Sequence, residues 1–126
     1  MISRLSIIGF GNIAKAIITP LLDEKLINPE DVYCLVNSKK SLEFIKKNYK
    51  YNINIFLANS KNLHLVWESP VKLLSVKPQQ LENIIEIPNS ECKDDLLISI
   101  LAGVSIEKLM VKFPNHKCVR VVQTYQ

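Results

Sequence analysis

The 126-residue chain carries a formal net charge of +4, with 48% hydrophobic and 22% charged residues. That is the size and composition of one globular domain and excludes a disordered or collagen-like polymer. Its longest uncharged stretches, 5–14 and 96–106, fall short of the roughly 20 apolar residues a membrane-spanning helix needs. The basic residues are scattered apart from Lys39-Lys40 and Lys46-Lys47, so the charge suits anionic small molecules, and neither a nucleic-acid nor a membrane partner is expected.

Arg4 precedes an apolar run, but Gly9, Gly11 and Asn12 interrupt it and Lys15 closes it. The segment is therefore not read as a signal peptide, and a cytoplasmic protein is expected. Short apolar, β-branched runs at 5–8, 32–36, 53–57, 71–76, 96–101 and 118–122 predict six strands. Between them, apolar residues recur at helical spacing. Ile13, Ile17 and Leu21 mark a first helix, and Leu42, Ile45 and Tyr49 a second. Leu63, Val66 and Trp67 mark a third, Leu81, Ile84 and Ile85 a fourth, and Ile106, Leu109 and Met110 a fifth.

Ser60 and Ser105 stand where N-caps belong, and Pro78 suits a first helical turn. Pro20 falls inside the first helical pattern and is expected to kink or shorten that helix. Several strand runs are continuously apolar rather than alternating, as in a parallel sheet covered by helices on both faces. Cys34, Cys92 and Cys118 are widely spaced, with no C-x-x-C and no histidine at ligand spacing. They predict buried, inert thiols and no metal site.

The chemistry begins at Gly9-Phe10-Gly11-Asn12-Ile13-Ala14, a G-x-G-x-x-A sequence directly after the first strand and opening the first helix. The first glycine allows the tight turn, the second allows a pyrophosphate to approach the backbone, and the small third residue lets helix pack on strand. The phosphates then meet the amide donors and the positive dipole end of the helix. A purely structural turn is the alternative. The pattern predicts a Rossmann-type doubly wound α/β fold, a three-layer αβα domain over residues 1–126, binding a dinucleotide.

After the second strand comes Asn37-Ser38-Lys39-Lys40, with no carboxylate to hold a ribose 2′-hydroxyl. One hydroxyl and two ammonium groups suit a 2′-phosphate, so NADP(H) is expected over NAD(H). Alternatively, Ser38 simply caps a helix whose first lysines are solvated. Val76-Lys77-Pro78-Gln79 and Ala102-Gly103-Val104 follow the fourth and fifth strands and should edge the same crevice, although Lys-Pro is also an effective way to end a strand.

Together, residues 8–17, Val36-Asn37-Ser38, Ser75-Val76-Lys77-Pro78-Gln79 and Ala102-Gly103-Val104-Ser105-Ile106 resemble the N-terminal NADP-binding domain of pyrroline-5-carboxylate reductase in order and spacing. The resemblance implies hydride transfer from NADPH to a cyclic imine, in proline biosynthesis. It implies cofactor contacts at Ile8, Gly9, Phe10, Gly11, Asn12 and Ile13, at Ser38, Lys40 and Asn59, at Ser75, Val76, Lys77 and Pro78, and at Leu101, Ala102 and Gly103. The family continues after its sixth strand with an M-P-N-T-like turn and an all-helical domain that dimerises and supplies much of the imino-acid site. This chain reads Val121-Val122-Gln123-Thr124-Tyr125-Gln126 at that place. The expectation is a cofactor half, incomplete for catalysis alone and with no catalytic residue assigned, that self-associates if a face is left uncovered.

Two alternatives are a stand-alone nucleotide-binding or interaction module and a deazaflavin-dependent NADP oxidoreductase. The latter shares the glycine turn, but V-K-P-Q argues against it. His64 and His116 show no evident nucleophile or carboxylate partner, Asp94-Asp95 is assigned to solvent, and Trp67 to core packing.

Overall fold

In a computed structural model, which describes residues 3–87 and 94–122, the six apolar runs become β1 (Leu5–Ile8), β2 (Val32–Val36), β3 (Asn54–Leu57), β4 (Val71–Leu74), β5 (Leu96–Ser99) and β6 (Lys117–Arg120). They form one sheet in the order β3-β2-β1-β4-β5-β6, and every neighbouring pair is parallel. The expected Rossmann-type topology is therefore present. From β1 the chain winds outward through β2 and β3, then returns to lay β4 against the other side of β1. That reversal opens a crevice beyond the carboxyl ends of β1 and β4. Leu5 pairs with both Val32 and Val71, and Ile8 with both Leu35 and Leu74, so the three central strands end level.

Successive strand residues face opposite sides of the sheet, and each side has its own core. On one side Leu5, Ile7, Cys34 and Leu73 pack with Ala14, Ile18 and Leu22 of helix α1 (Asn12–Asp23) and Ile45 of α2 (Lys39–Asn48). On the other, Ile8, Leu74 and Leu97 pack with Val66 and Trp67 of α3 (His64–Trp67) and Leu109 of α4 (Ile106–Lys112). Helices on both faces account for the continuous apolar strands, and Trp67 is core, as expected.

Several expectations need correction. The fourth predicted helix is a 3₁₀ segment, Pro78–Asn83, in which Leu81 alone of the three marker residues is buried while Ile85 is exposed. The six strands are thus joined by four α-helices and 3₁₀ segments among the described residues. Ser105 caps α4 by accepting the Lys108 amide at 3.1 Å, but Ser60 accepts the Asn62 amide in the preceding turn and α3 starts at His64 without a side-chain cap. Helix α1 continues through Pro20 and ends one turn later at Asp23. The runs 71–76 and 96–101 leave the sheet two residues early, at Leu74 and Ser99, to form the crevice rim.

Asp95 is not solvated. It is buried, and its Oδ2 lies 2.5 Å from Nζ of Lys72, a fully buried lysine in the middle of β4. Asp94 is exposed and pairs with Lys117 at 3.3 Å. His116 also has the carboxylate partner the sequence did not reveal: Nδ1 lies 2.5 Å from Glu86 Oε2, with both side chains buried. Cys34 is buried and Cys118 partly so; Cys92 lies outside the described residues, as do 123–126.

Candidate functional site

Gly9 follows β1 with φ +86°, a region L side chains rarely adopt, and its amide donates to the Leu35 carbonyl at 2.8 Å. A Cβ placed there would lie 2.8 Å from Val76 Cγ1 and 2.9 Å from the Ser75 backbone. The first glycine is therefore required for the fold. It lets the β1 turn pass directly against the segment leaving β4, where the Ser75 amide donates to the Ile8 carbonyl at 2.8 Å.

Gly11 differs. It is the N-cap of α1, its φ is −91°, and a Cβ built on it would meet nothing within 4 Å. That open space is where the backbone is free to approach a ligand. No side chain caps α1 and no acidic residue occupies its first turn. By contrast, Ser38 caps α2 and Ser105 caps α4. The first amides of α1 have no intrahelical partner, and the helix dipole adds partial positive charge at the same point. A phosphate fits this donor set.

Phe10, between the two glycines, packs edge-on against Tyr49 at 5.2 Å between centroids, and Tyr49 hydrogen-bonds Thr19 at 2.7 Å. The glycine turn is thereby tied to α1 and to the end of α2. Burial, offset in part by the Thr19 hydrogen bond, holds the Tyr49 hydroxyl above its usual pKa, so it stays neutral at physiological pH.

Two clefts meet at the turn. The first, of about 530 Å³, runs from Gly9, Phe10 and Gly11 across Val36 and Asn37 on the β2 side and Ser75, Val76 and Lys77 on the β4 side. The second, of about 510 Å³, shares Gly11, Ser75, Val76 and Lys77 and extends past Asn12, Ile13, Pro78, Leu101 and Ala102 toward the end of β6. The predicted residues of the glycine turn and of the loops after β4 and β5 are thus brought together.

The other predicted residues sit beside the clefts rather than in their walls. Ile8 is fully buried beneath the turn. Ser38 accepts the Ser41 amide at 3.1 Å and donates to the Ser41 hydroxyl, and so caps α2. Lys39 and Lys40 are exposed on the first turn of α2, Asn59 is exposed just after the cleft-lining Ala58, and Gly103 follows Ala102. Among the lining residues missed from the sequence were Ser41, Gln80, Asn83 and Ile84 in the first cleft and Arg120, Val121 and Val122 in the second. Their places depend on how loops fold back over the strand ends; only Arg120, a cation at the carboxyl end of a strand, carried a readable signal.

A family model described as "NADP oxidoreductase coenzyme F420-dependent" matches residues 4–103. The chain is 32% identical to the pyrroline-5-carboxylate reductase of Synechocystis over 94% of its own length and 43% of that protein's. It is 29% identical to the Schizosaccharomyces pombe pyrroline-5-carboxylate reductase, covering 42% of it. A solved pyrroline-5-carboxylate reductase from Coxiella burnetii superposes with a TM-score of 0.71 at 25% identity, covering 95% of this chain and 43% of that one. The Plasmodium falciparum pyrroline carboxylate reductase with NADP bound gives 0.60 at 25% identity. The chain therefore spans about two fifths of these relatives. With a Rossmann-type sheet, an uncapped helix behind its glycine turn and a family match over most of its length, the chain belongs to the family of NADP oxidoreductases described as coenzyme F420-dependent.

Proposed function

We propose that the chain is the NADPH-binding half of a reductase that reduces pyrroline-5-carboxylate to proline. The observation that carries this reading is the uncapped N-terminus of α1 behind Gly11, which offers free amide donors to a pyrophosphate in a crevice at the switch point of the sheet. The description of the family and the NADP bound in the Plasmodium relative support the choice of cofactor, and the names of the relatives support the choice of substrate. The bound cofactor supplies the hydride. The chain's own residues bind and orient: the first amides of α1 hold phosphate, Val36 and Asn37 flank the adenosine end, and Lys39 and Lys40 sit beside the 2′-phosphate. Ser75, Val76, Lys77 and Pro78 separate the adenosine cleft from the reacting end.

A cytoplasmic location, and self-association where a face is left uncovered, complete the reading; among the described residues no helix is long and apolar enough to cross a membrane. A second reading, hydride exchange with a deazaflavin, is favoured by the family's description. It shares the same NADPH site and differs in the substrate.

Both lysines are exposed, so their contribution to the 2′-phosphate is discounted for solvent to about 1–2 kcal/mol, or roughly five- to thirtyfold in favour of NADPH over NADH. Dissociation constants of both cofactors for the parent and for Lys39→Ala/Lys40→Ala measure it. The ratio should collapse toward unity in the double variant and shrink in high salt. Equal affinities in the parent contradict the assignment.

A further inference from the structure

The 3₁₀ segment Pro78–Asn83 and the residue after it wall the first cleft through Gln80, Asn83 and Ile84, yet Leu81 alone of the segment is buried. Its turns rest on two backbone bonds, from the Gln80 amide to the Lys77 carbonyl at 2.8 Å and from the Ile84 amide to the Leu81 carbonyl at 3.1 Å. Hydrogen bonds of this kind are poorly aligned, and a short segment with one buried residue opens easily. Such a wall needs an anchor.

The anchor lies two residues past Ile84. Glu86 directs its carboxylate into the turn between α4 and β6, where Oε1 accepts from Asn115 Nδ2 at 2.5 Å and Oε2 accepts from His116 Nδ1 at 2.5 Å and from the Asn115 amide at 3.4 Å. Lys112 adds a bond from Nζ to the Glu82 carbonyl at 3.0 Å. The Glu86 and His116 side chains are 6% and 3% exposed, so the bond between them forms away from solvent. His116 also packs edge-on against Trp67 at 5.8 Å and Phe113 at 6.5 Å between centroids, while its Nε2 is buried without a partner among the described residues. The wall is thereby fastened to a ring seated in the core.

We propose that Glu86 is a positioning residue for the cofactor: its carboxylate, gripped by His116 and Asn115, holds residues 78–84 where they close on the adenosine half. The inference rests on the reading of the first cleft as part of the NADPH site. Charge alone predicts the opposite effect, because a carboxylate near an anionic cofactor repels it and its removal should tighten binding. Loss of the clamp weakens binding, since the wall then holds its bound position for only part of the time and the apparent Kd rises by the reciprocal of that fraction.

The test is calorimetric titration of the 126-residue chain with 2′,5′-ADP, which carries the adenosine and 2′-phosphate without the nicotinamide. Parent, Glu86→Gln, Glu86→Ala, His116→Ala and Glu86→Ala/His116→Ala are compared where urea unfolding shows each to be folded. Glu86→Ala should raise Kd about fivefold or more, and Glu86→Gln, which keeps one acceptor oxygen, should raise it less. The double variant should bind no more weakly than Glu86→Ala, because His116 acts through the carboxylate. A merely structural role lowers the urea midpoint and leaves the Kd of the folded protein unchanged. Unchanged or tighter binding in Glu86→Ala overturns the proposal, and if that variant fails to fold, the same result in Glu86→Gln does so. Amide hydrogen exchange reads the wall without nucleotide: the Gln80 and Ile84 amides should speed up about fivefold or more in Glu86→Ala relative to the Ser75 amide, which bonds the Ile8 carbonyl at the sheet end. Equal acceleration of all three overturns the clamp. If the parent fails to bind 2′,5′-ADP, the cofactor reading falls, and the exchange rates still decide whether Glu86 holds the wall.

Discussion

Gly9 and Gly11 are two residues apart in one motif, yet alanine should destabilise the protein at the first position and leave it nearly unchanged at the second. At Gly9 the left-handed φ of +86° costs an L residue about 1–2 kcal/mol. The added methyl would also lie 2.9 Å from the Ser75 carbonyl carbon and oxygen, backbone atoms that cannot swing aside as a side chain can. Overpacking of this kind costs about 1–3 kcal/mol, so Gly9→Ala should lose roughly 2–5 kcal/mol of stability. At Gly11 φ is −91° and nothing lies within 4 Å of the new methyl. There the restricted unfolded chain offsets the modest N-cap loss, and Gly11→Ala should stay within about 0.5 kcal/mol of the parent. Urea unfolding followed by far-ultraviolet circular dichroism reads both. With a slope of about 1–3 kcal/mol/M, the Gly9 variant should shift its midpoint by about 1 M or more, and the Gly11 variant hardly at all. Equal shifts for the two variants, or a Gly9→Ala protein as stable as the parent, would refute the division of labour between fold and ligand within the turn.

The buried Lys72–Asp95 pair makes a second prediction: Asp95→Ala leaves an ammonium without its partner and should cost about 3–5 kcal/mol in urea unfolding, whereas the double replacement Lys72→Met/Asp95→Leu should recover most of it. Burial pushes the Cys34 thiol well above its ordinary value of 9.0. The neutral thiol is favoured in the folded state, so its contribution is full below about pH 9 and is lost as pH rises beyond that. Between pH 9 and 11 the parent should lose stability faster than Cys34→Ala, by up to about 1.4 kcal/mol per pH unit, and parallel curves would contradict this.

The strands were legible because a sheet covered on both faces demands uninterrupted apolar runs, and the glycine turn because only glycine serves where a backbone turns at positive φ against another strand. The 3₁₀ segment was less legible. Leu81, Ile84 and Ile85 have helical spacing, but Ile84 already adopts extended geometry at the segment's end, so the three never share a buried face. Asp95 was misassigned because its environment comes from the register that places Val71 beside Leu96. The available signal was Lys72 itself, a lysine inside a buried strand that needs a nearby counter-charge. His116 and Glu86 lie 30 residues apart, and nothing local couples them. The second cleft was half legible: its rim loops follow strands, but Arg120, Val121 and Val122 join them only because β6 lies beside β5 and ends level with it.

The central claim is that dinucleotide phosphates are held at the N-terminus of α1, against the backbone of Gly11. Calorimetric titration of NADPH into the parent chain and into Gly11→Val measures it most directly, because the valine side chain fills the approach without meeting any protein atom at its Cβ. The parent should bind saturably, and the variant should bind at least about tenfold more weakly while unfolding in urea close to the parent midpoint. Near-parental NADPH affinity in a folded Gly11→Val protein would contradict the account.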